Sequence, residues 1–569
     1  MSSPITSEAY SPWNPGIESE IPPGYRELET IHDPANVFNG LDAVNQLIAE
    51  TGLGWQELVS FRTQRLALHE LIVRVTADVV VLEGEAEEDL GINFRRITRR
   101  IMSAHIEPRM ADIERAYQDM SARIEALATA EMRSVMDRLR PPGPPPATWW
   151  QRLLGIKPKA PPVQQTREER EFALINDYKA RARDTRDRLE AGLYRSIYRV
   201  LGAIVRTRGF IGHDDAYLAR ICTLHAVNCQ ASRHIGRIIQ PFVDEAITQE
   251  GYSLIPDAEK PILISLKGAS ASGKSSLRPL MRSMRAQLGI DDDGYGTISP
   301  DIWRKLLLDY KSLGEAYKYA GRFTSHEVSV IDARLDRYIR AKAERHRSIP
   351  HLVVDRFRFD SFASEKISRV LHKTYVRYID TMYMYFIVTP PEATVERGWQ
   401  RGLERGRYKS VEDYLGHCVE AYSGMPKVLF KWLANDTPRY FFEFLDNSVA
   451  RGEYPRLIAR GSQQGMQIFD PDRLVDIDRF TRINVHASTP QQVPAPAAEL
   501  AVENNLGFLR ECIEAIGHIE FVDAASGQCY LRVESGRFEV VERSLFEARL
   551  ADETLRRIVQ ALSPGLLEG

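Results

Sequence analysis

The sequence predicts an α/β core with a parallel sheet covered by helices on both faces, preceded by a mostly α-helical domain and followed by a small α+β tail. Short β-branched or aromatic runs alternate with helix-length segments between about residues 210 and 486. This alternation is typical of parallel sheets. Before that region, apolar residues recur at steps of three and four, which indicates helices that bury one face.

The first 208 residues predict an arm and a helical domain. Residues 1–35 are rich in Pro, Ser and Glu and predict a disordered arm. Residues 36–208 predict the helical domain, interrupted by a proline-rich linker at 141–163. Two apolar stripes in this domain predict two long helices that pair as an antiparallel hairpin. The stripes are Ile113, Tyr117, Met120, Ile124 and Leu127, and then Leu189, Leu193, Ile197, Leu201 and Ile204.

The α/β region, residues 210–486, carries the predicted sheet. A second linker, rich in Pro, Ala and Gln, covers residues 487–500. The tail, residues 501–569, has three short strand-like runs between helix-like stretches, which predicts a small α+β domain. The strands predicted for the sheet itself are 261–268, 295–299, 350–355, 382–388 and 439–446.

Length and composition limit the class of protein. The 569 residues correspond to about two to four domains. The hydrophobic content of 43% and charged content of 27% exclude a wholly disordered or collagen-like chain. Because 75 Lys and Arg residues face 78 Asp and Glu residues, the formal net charge is -3. No global positive field attracts nucleic acid or anionic lipid, so we expect no nucleic-acid partner.

The cysteines and the amino terminus bear on the compartment. The five cysteines are widely spaced and include no C-x-x-C pair, which excludes a disulfide framework and a tetrahedral zinc site. No apolar stretch is long enough for a membrane span, and the amino terminus lacks the basic and apolar regions of a Sec signal. The sequence therefore predicts a bacterial cytoplasmic protein or one exported by a route other than Sec.

Residues 268–275, GASASGKS, match the phosphate-binding pattern G-x-x-x-x-G-K-[ST] in full. The motif follows an apolar strand and precedes a helix-like stretch. Its glycines let backbone N–H groups converge on a phosphate, and the helix start adds partial positive charge. Lys274 then reaches the β- and γ-phosphate oxygens, and the Ser275 hydroxyl ligates Mg²⁺. ATP and Mg²⁺ are the predicted cofactors, with ATP bound by Gly268, Ala269, Ser270, Ala271, Ser272, Gly273, Lys274, Ser275 and Ser276.

Two acidic residues follow predicted strands. Asp301 comes after the second strand, which we expect to lie beside the phosphate-motif strand, and at that strand end a carboxylate can take the proton of an acceptor hydroxyl. Asp301 is alternatively the N-terminal cap of the next helix, and one residue can serve both purposes. Asp355 ends the apolar run HLVVD and has the Walker-B form, so we expect it to hold Mg²⁺ directly or through water.

Arginines recur at four-residue steps at Arg397, Arg401 and Arg405, which places them on one helical face. Glycines between them permit bending, so the segment is interpreted as a lid whose arginines stabilise the charge of a transferring phosphoryl group. The alternative is an exposed basic helix with no catalytic role.

Together these residues resemble the zeta-toxin family of P-loop kinases, over about residues 255–450. The resemblance rests on KGASASGKSSLRPLM, SPDIWR, the helix entry that contains Thr324 and Glu327, HLVVD, and the arginine lid. Characterised members of the family phosphorylate UDP-N-acetylamino sugars. The resemblance implies catalysis by Lys274, Asp301 and the lid arginines, and substrate contacts at Thr324 and Glu327.

The leading hypothesis is an ATP- and Mg²⁺-dependent kinase that phosphorylates a hydroxyl of a small nucleotide-like metabolite, with a toxin or effector role. One rival is a P-loop NTPase that couples hydrolysis to conformational work. Such an enzyme needs a water-positioning Glu or Gln after Asp355, where Arg356 stands. A second rival is a helical scaffold that senses nucleotide.

The helical domain suggests a way to restrain the predicted kinase. In the resembled family a separate helical antitoxin obstructs the nucleotide site. We therefore hypothesise that residues 36–208 act in the same way within the chain, by covering the P-loop or the lid. The alternatives are a separate protein partner, or a docking or targeting module that never touches the active site.

Overall fold

The computed structural model describes residues 10–140, 149, 166–356 and 375–567. They form two compact units. The helical unit comprises the described residues of Arg26–Leu71 and Arg100–Gln249, and the sheet unit comprises those of Met1–Tyr25, Ile72–Arg99 and Glu250–Gly569. The linker predicted at 141–163 lies outside the described residues apart from Trp149. None of the helices within the described ranges combines the length and apolarity needed to cross a membrane.

Long helices dominate the first 250 residues. Asp187 begins one of them, because its carboxylate accepts hydrogen bonds from the backbone N–H groups of Leu189 and Glu190, at 2.8 and 3.0 Å. That helix packs against the one directly before it, and the helix that carries the first apolar stripe contacts both. The helices are Leu41–Thr51, Trp55–Leu58, Thr63–Asp78, Asp89–Ile101, Met110–Leu139, Arg167–Asp184, Arg188–Arg208 and Asp215–Glu250.

This arrangement differs from the predicted hairpin of two helices. The two stripe-bearing helices, Met110–Leu139 and Arg188–Arg208, are both present and their stripes are largely buried. A third helix, Arg167–Asp184, lies between them in sequence and is the hairpin partner of the second. Its composition is strongly polar, and its buried face carries three apolar residues, Leu174, Ile175 and Tyr178, together with the buried Glu171.

The sheet unit is built on one ten-stranded sheet with the order β10-β9-β8-β7-β6-β5-β4-β1-β3-β2. All five strands predicted for the core are confirmed and pair in parallel. The strands are β1 Ile262–Gly268, β2 Tyr295–Ile298, β3 His351–Asp355, β4 Thr381–Val388, β5 Arg439–Asp446, β6 Arg456–Ser462, β7 Gly465–Ile468, β8 His518–Val522, β9 Cys529–Glu534 and β10 Arg537–Val540.

The strand order places the phosphate motif at a switch point. β1 lies between β3 and β4, so the chain leaves β1 toward one side of the sheet and later returns to its other side. In open parallel sheets, ligands bind in the crevice at the carboxyl ends of the strands at such a point. Residues 268–275 begin at the carboxyl end of β1, and Asp355 ends the neighbouring β3.

Helices cover this sheet, and an apolar cluster joins the helix of the phosphate motif to it. Leu277 and Met281 pack on Ile264, Leu266 and other buried strand residues. The helices after residue 250 are Lys274–Leu280, Arg282–Gln287, Arg304–Leu307, Ala320–Phe323, Ser325–His346, Pro391–Arg405, Val411–Leu433, Pro471–Arg479, Gly507–Ala515, Arg543–Arg549 and Glu553–Leu562.

The predicted domain boundaries differ from the observed units at both ends of the chain. The tail strands β8–β10 continue the main sheet, because β8 pairs in parallel with β7. Within the predicted linker, Val493 is buried beside Leu415. Within the predicted arm, Ile17 and Ile21 pack against Phe323 and its neighbours. These few apolar side chains dock on the unit although their local composition is proline-rich.

Candidate active site

The phosphate-binding loop is held by hydrogen bonds from two strand ends. The carbonyl oxygen of Ser272 accepts hydrogen bonds from Oγ1 of Thr389, at 3.0 Å, and from Nδ2 of Asn447, at 2.7 Å. Gly273 has φ of +97°, and a Cβ atom there would lie 2.1 Å from the same Asn447 nitrogen. A side chain at residue 273 is therefore excluded by conformation and by space.

Lys274 lies inside this loop. Its Nζ donates hydrogen bonds to the carbonyl oxygens of Gly268 and Ala269, at 2.8 and 2.7 Å. Burial lowers the pKa of Lys274; the charge of Asp355 raises it, and that of Arg401 lowers it further. The ammonium group is therefore held inside the loop by the carbonyl oxygens at its start.

Ser275 and Asp355, predicted separately as Mg²⁺ ligands, lie together. Oγ of Ser275 donates to Oδ2 of Asp355 at 3.1 Å, and Oγ of Ser299 approaches the same oxygen at 3.5 Å. These are hard oxygen donors, which suit Mg²⁺ completed by phosphate oxygens and water. Within the described ranges, no three His, Cys, Asp or Glu side chains gather as a metal cluster. Ser275 and Asp355 are therefore the candidate metal ligands of this site.

Asp301 lies in the short helix Pro300–Trp303, directly after β2. Its two carboxylate oxygens pair with Nε of Arg304, at 2.9 Å, and with Nη2 of Arg407, at 2.7 Å. Burial would raise the pKa of Asp301, but the charges of Arg407 and Arg304 outweigh it and hold the pKa well below its usual value. The side chain keeps 44% of its surface exposed. Asp301 is therefore an ionised, accessible carboxylate.

Asp301 is not the residue that precedes the short helix, and its strand is not the one next to the phosphate-motif strand. The residue before that short helix is Ser299, and the carboxylate of Asp301 is directed to two arginine side chains. β2, which leads to Asp301, pairs with β3 and not with β1. The expectation that Asp301 follows the strand next to the phosphate-motif strand is therefore wrong, because β3 with Asp355 occupies that position.

The two predicted substrate contacts are fully buried. Thr324 and Glu327 have 0% exposed surface. Oγ1 of Thr324 accepts a hydrogen bond from Nη1 of Arg304, at 2.8 Å. Thr324 therefore reaches the site through the arginine that pairs with Asp301. A direct contact of either residue with a substrate stays a prediction.

The predicted arginine lid forms the helix Pro391–Arg405, and its three arginines have different surroundings. Nη2 of Arg397 donates to the carbonyl oxygen of Val449 at 2.9 Å. Arg401 contributes its charge to the surroundings of both Lys274 and Asp301. Arg405 forms ion pairs with the carboxylates of Glu87 and Glu88. Arg401 is therefore within electrostatic reach of Lys274 and Asp301. Arg397 also lies beside the phosphate motif, because its Nη1 is 4.0 Å from the position that a Cβ atom at Gly273 would take.

The lid glycines lie directly against aromatic rings. A Cβ atom at Gly398 would lie 2.2 Å from the ring of Tyr414, and one at Gly402 would lie 2.3 Å from the ring of Tyr408. The helix is continuous through both positions. The glycines therefore let two tyrosine rings pack against the lid helix, which fixes the helix in place.

A basic cluster that the motifs did not reveal extends the site past the lid helix. Nζ of Lys409 lies 3.0 Å from Nδ1 of His417. Burial lowers the pKa of Lys409 to about 7, aided by the charges of Arg401 and Arg407. Burial, followed by the charge of Lys409, lowers the pKa of His417 to about 2. Basic side chains in this cluster outnumber the nearby carboxylates, which belong to Asp301, Asp355 and Asp413. The basic residues are Lys274, Arg304, Arg322, Arg401, Arg407 and Lys409.

A second feature missed from the sequence is the acidic segment, residues 83–88. Oε2 of Glu87 accepts a hydrogen bond from Oγ of Ser276, at 2.9 Å. Nη1 of Arg405 pairs with Oε1 of Glu87 at 2.8 Å, and Nε of Arg405 pairs with Oε1 of Glu88 at 2.6 Å. The acidic segment therefore contacts both the phosphate-motif helix and the lid.

The acidic segment is anchored at its start. The Glu83 side chain is 3% exposed, accepts a hydrogen bond from Oγ1 of Thr297 at 3.2 Å, and has Nη2 of Arg285 at 3.5 Å. Arg282 and Arg278 also donate to the carbonyl oxygens of Glu83 and Glu87, at 3.0 and 3.4 Å. No local motif marks this segment, since its partners follow about two hundred residues later. Its only sequence signal is a run of acidic residues.

Comparisons with known proteins give only distant likenesses. No described family matches the sequence, and no curated protein does. Among solved structures, the AvrRxo1-ORF1:AvrRxo1-ORF2 complex with sulphate ions is similar at a TM-score of 0.31 and 17% identity, over 40% of this chain and 66% of that chain. The PezAT chromosomal toxin-antitoxin system of Streptococcus pneumoniae is similar at a TM-score of 0.18 and 12% identity, over 54% of this chain and 90% of that chain. Likenesses this distant carry no inference about activity.

Proposed function

We propose that this chain is an ATP- and Mg²⁺-dependent kinase that transfers a phosphoryl group to a hydroxyl of a small nucleotide-like metabolite, with a toxin or effector role. One observation carries the proposal: the phosphate motif, the Ser275–Asp355 pair and the accessible carboxylate of Asp301 lie within mutual electrostatic reach of one another. A phosphate-binding loop alone serves many NTPases. A carboxylate facing that loop is what an acceptor hydroxyl requires.

Each residue has a definite task in this proposal. Lys274 and Arg401 neutralise charge that spreads over the transferring phosphoryl oxygens. Ser275 and Asp355 hold Mg²⁺, which bridges phosphate oxygens and neutralises their charge. Asp301 orients the acceptor hydroxyl and accepts its proton. Its low pKa keeps it ionised but makes it a weak base. A weak base suffices, because phosphoryl transfer through a loose transition state depends mainly on positioning of the reactants.

The rival NTPase is less favoured by the surroundings of Asp355. Arg356, the next residue, pairs with Asp332 at 2.8 Å and with Asp336 at 3.0 Å, so it serves the packing of the helix Ser325–His346. It does not supply the Glu or Gln that would position a water. A purified chain incubated with γ-labelled ATP and a metabolite extract separates the possibilities. Kinase activity gives a labelled metabolite that Asp301→Asn abolishes, whereas release of phosphate alone would support the NTPase and overturn the proposal.

We further propose that the acidic segment restrains this kinase within the chain. Ser276 follows the Mg²⁺ ligand Ser275 on the phosphate-motif helix, and its hydroxyl is bonded to the Glu87 carboxylate. Arg405 is engaged by two carboxylates and is withheld from phosphates. A negative carboxylate beside a phosphate site also repels the nucleotide. The hypothesis that residues 36–208 cover the P-loop or the lid is thereby limited to the acidic segment, residues 83–88.

A further inference from the structure

A separate group of reactive side chains lies in the helical unit. His225 and Cys229 are four residues apart on the helix Asp215–Glu250, so they share one face. Sγ of Cys229 lies 3.7 Å from Nδ1 of His225. The other ring nitrogen of His225, Nε2, lies 3.3 Å from Oε1 of Glu57. The three side chains form a continuous thiol–imidazole–carboxylate arrangement, the pattern that activates a nucleophilic thiol.

The charges in this group favour an imidazolium. Burial would raise the pKa of Glu57, but hydrogen bonds from His225 and Arg199 hold it far below its usual value. Nε and Nη2 of Arg199 donate to the Glu57 carboxylate at 2.7 and 2.9 Å. Burial would lower the pKa of His225, but its hydrogen bonds to Cys229 and Glu57 outweigh it and raise the pKa to about 9. At neutral pH the ring therefore carries a proton and a positive charge.

The sulfur is accessible although the ring is not. His225 is 5% exposed, whereas Cys229 is an exposed residue. Cys222, Cys418 and Cys512 are buried. Cys529 is half-buried, and burial followed by the charge of Glu520 raises its pKa. Of the five cysteines, Cys229 combines an exposed thiol with a neighbouring cation.

We propose that Cys229 is a covalent modification site, at which a thiolate prepared by His225 and Glu57 reacts with low-molecular-mass disulfides. The thiolate attacks one sulfur of the disulfide and forms a new S–S bond. The original S–S bond breaks, and the departing thiolate takes a proton from water. Backbone N–H groups in mid-helix are used by the helix itself, so they do not form an oxyanion hole beside Cys229. This proposal does not depend on the kinase proposal.

The test is the rate of modification of each cysteine in the full chain. The protein is treated with oxidised glutathione, or in parallel with iodoacetamide, between pH 5 and 10, and each cysteine is followed by peptide mass spectrometry. Cys529 is the control within the same molecule. We expect the rate at Cys229 to rise with a midpoint below the ~8.5 of an ordinary thiol, and the rate at Cys529 to rise only above it. Greater exposure scales a rate but does not move its midpoint, so the midpoint separates activation from mere accessibility.

Variants test the role of the ring. His225→Gln should slow modification of Cys229 at pH 7 about tenfold and return its midpoint to that of an ordinary thiol. His234→Gln, on the same helix, removes a histidine whose Nε2 lies 3.1 Å from a backbone oxygen of Ala116, and should leave Cys229 unchanged. A midpoint for Cys229 in the unsubstituted chain at or above that of Cys529 overturns the proposal, whether or not the His225 variant folds.

Discussion

Glu87→Gln is expected to tighten nucleotide binding. The Glu87 side chain is 18% exposed and that of Arg405 is 13% exposed, so their ion pair at 2.8 Å is poorly screened by water. Burial would raise the pKa of Glu87, but its hydrogen bond with Arg405 and the charge of Arg405 lower it, so the side chain is ionised at neutral pH. Glutamine keeps the shape and can still accept the hydrogen bond from Ser276, which leaves the fold intact.

The expected magnitude follows from the two carboxylates on Arg405. Hydrogen bonds to charged groups contribute about 1.5–3 kcal/mol. Glu88 still holds Arg405 in the single variant, at 2.6 Å, so we take the lower end of that range. About 1.4 kcal/mol corresponds to tenfold in affinity. The single variant should therefore bind ATP about tenfold more tightly, and the double variant with Glu88→Gln should bind it more tightly still.

The assay is a titration with a fluorescent ATP analogue at fixed salt, which requires no knowledge of the acceptor. Glu404→Gln is the matched control. Its carboxylate lies 3.9 Å from Nε of Arg405 but belongs to the lid helix and pairs with Arg451 at 2.8 Å. We expect little change in affinity for this control. Unchanged or weaker nucleotide binding by Glu87→Gln would refute the restraint and make Glu87 a positioning residue for Arg405 or Ser276.

The remaining predictions concern catalysis. Lys274→Ala should abolish phosphoryl transfer in a folded protein, measured with the labelled metabolite; full activity would contradict the assigned site. Asp301→Asn should retain ATP binding but lose turnover; a fall in Tm with unchanged turnover would make Asp301 structural. Among the lid arginines, Arg401→Ala should lower kcat most, because the charge of Arg401 reaches both Lys274 and Asp301. Because the pKa of Lys409 is about 7, its positive charge is present below that pH and lost above it; the Kd for ATP should therefore rise between pH 6 and 8, and Lys409→Met should flatten this dependence.

The sequence by itself determined the elements whose signals are local. The match to the phosphate motif, the five apolar core strands and the two helical stripes all depend on residues within a few positions of one another. Hydrogen bonding along a helix and alternation along a strand act over the same short range. Ser275 and Asp355 were each marked by a local motif, but their proximity follows from the position of β3 beside β1 in the sheet.

Only the tertiary structure decided the features that depend on distant partners. The four-residue spacing does not include Arg407, because the lid helix ends at Arg405. Its ion pair with Asp301, which lies on another element, could therefore not be predicted from the spacing. The spacing of the lid glycines alone predicts a flexible helix, because the tyrosine rings that lie against them cannot be inferred from the spacing. The acidic segment resembles an ordinary solvated acidic run until Arg405 is brought to it. Such contacts arise from shape and charge complementarity between segments hundreds of residues apart, and no local pattern encodes them.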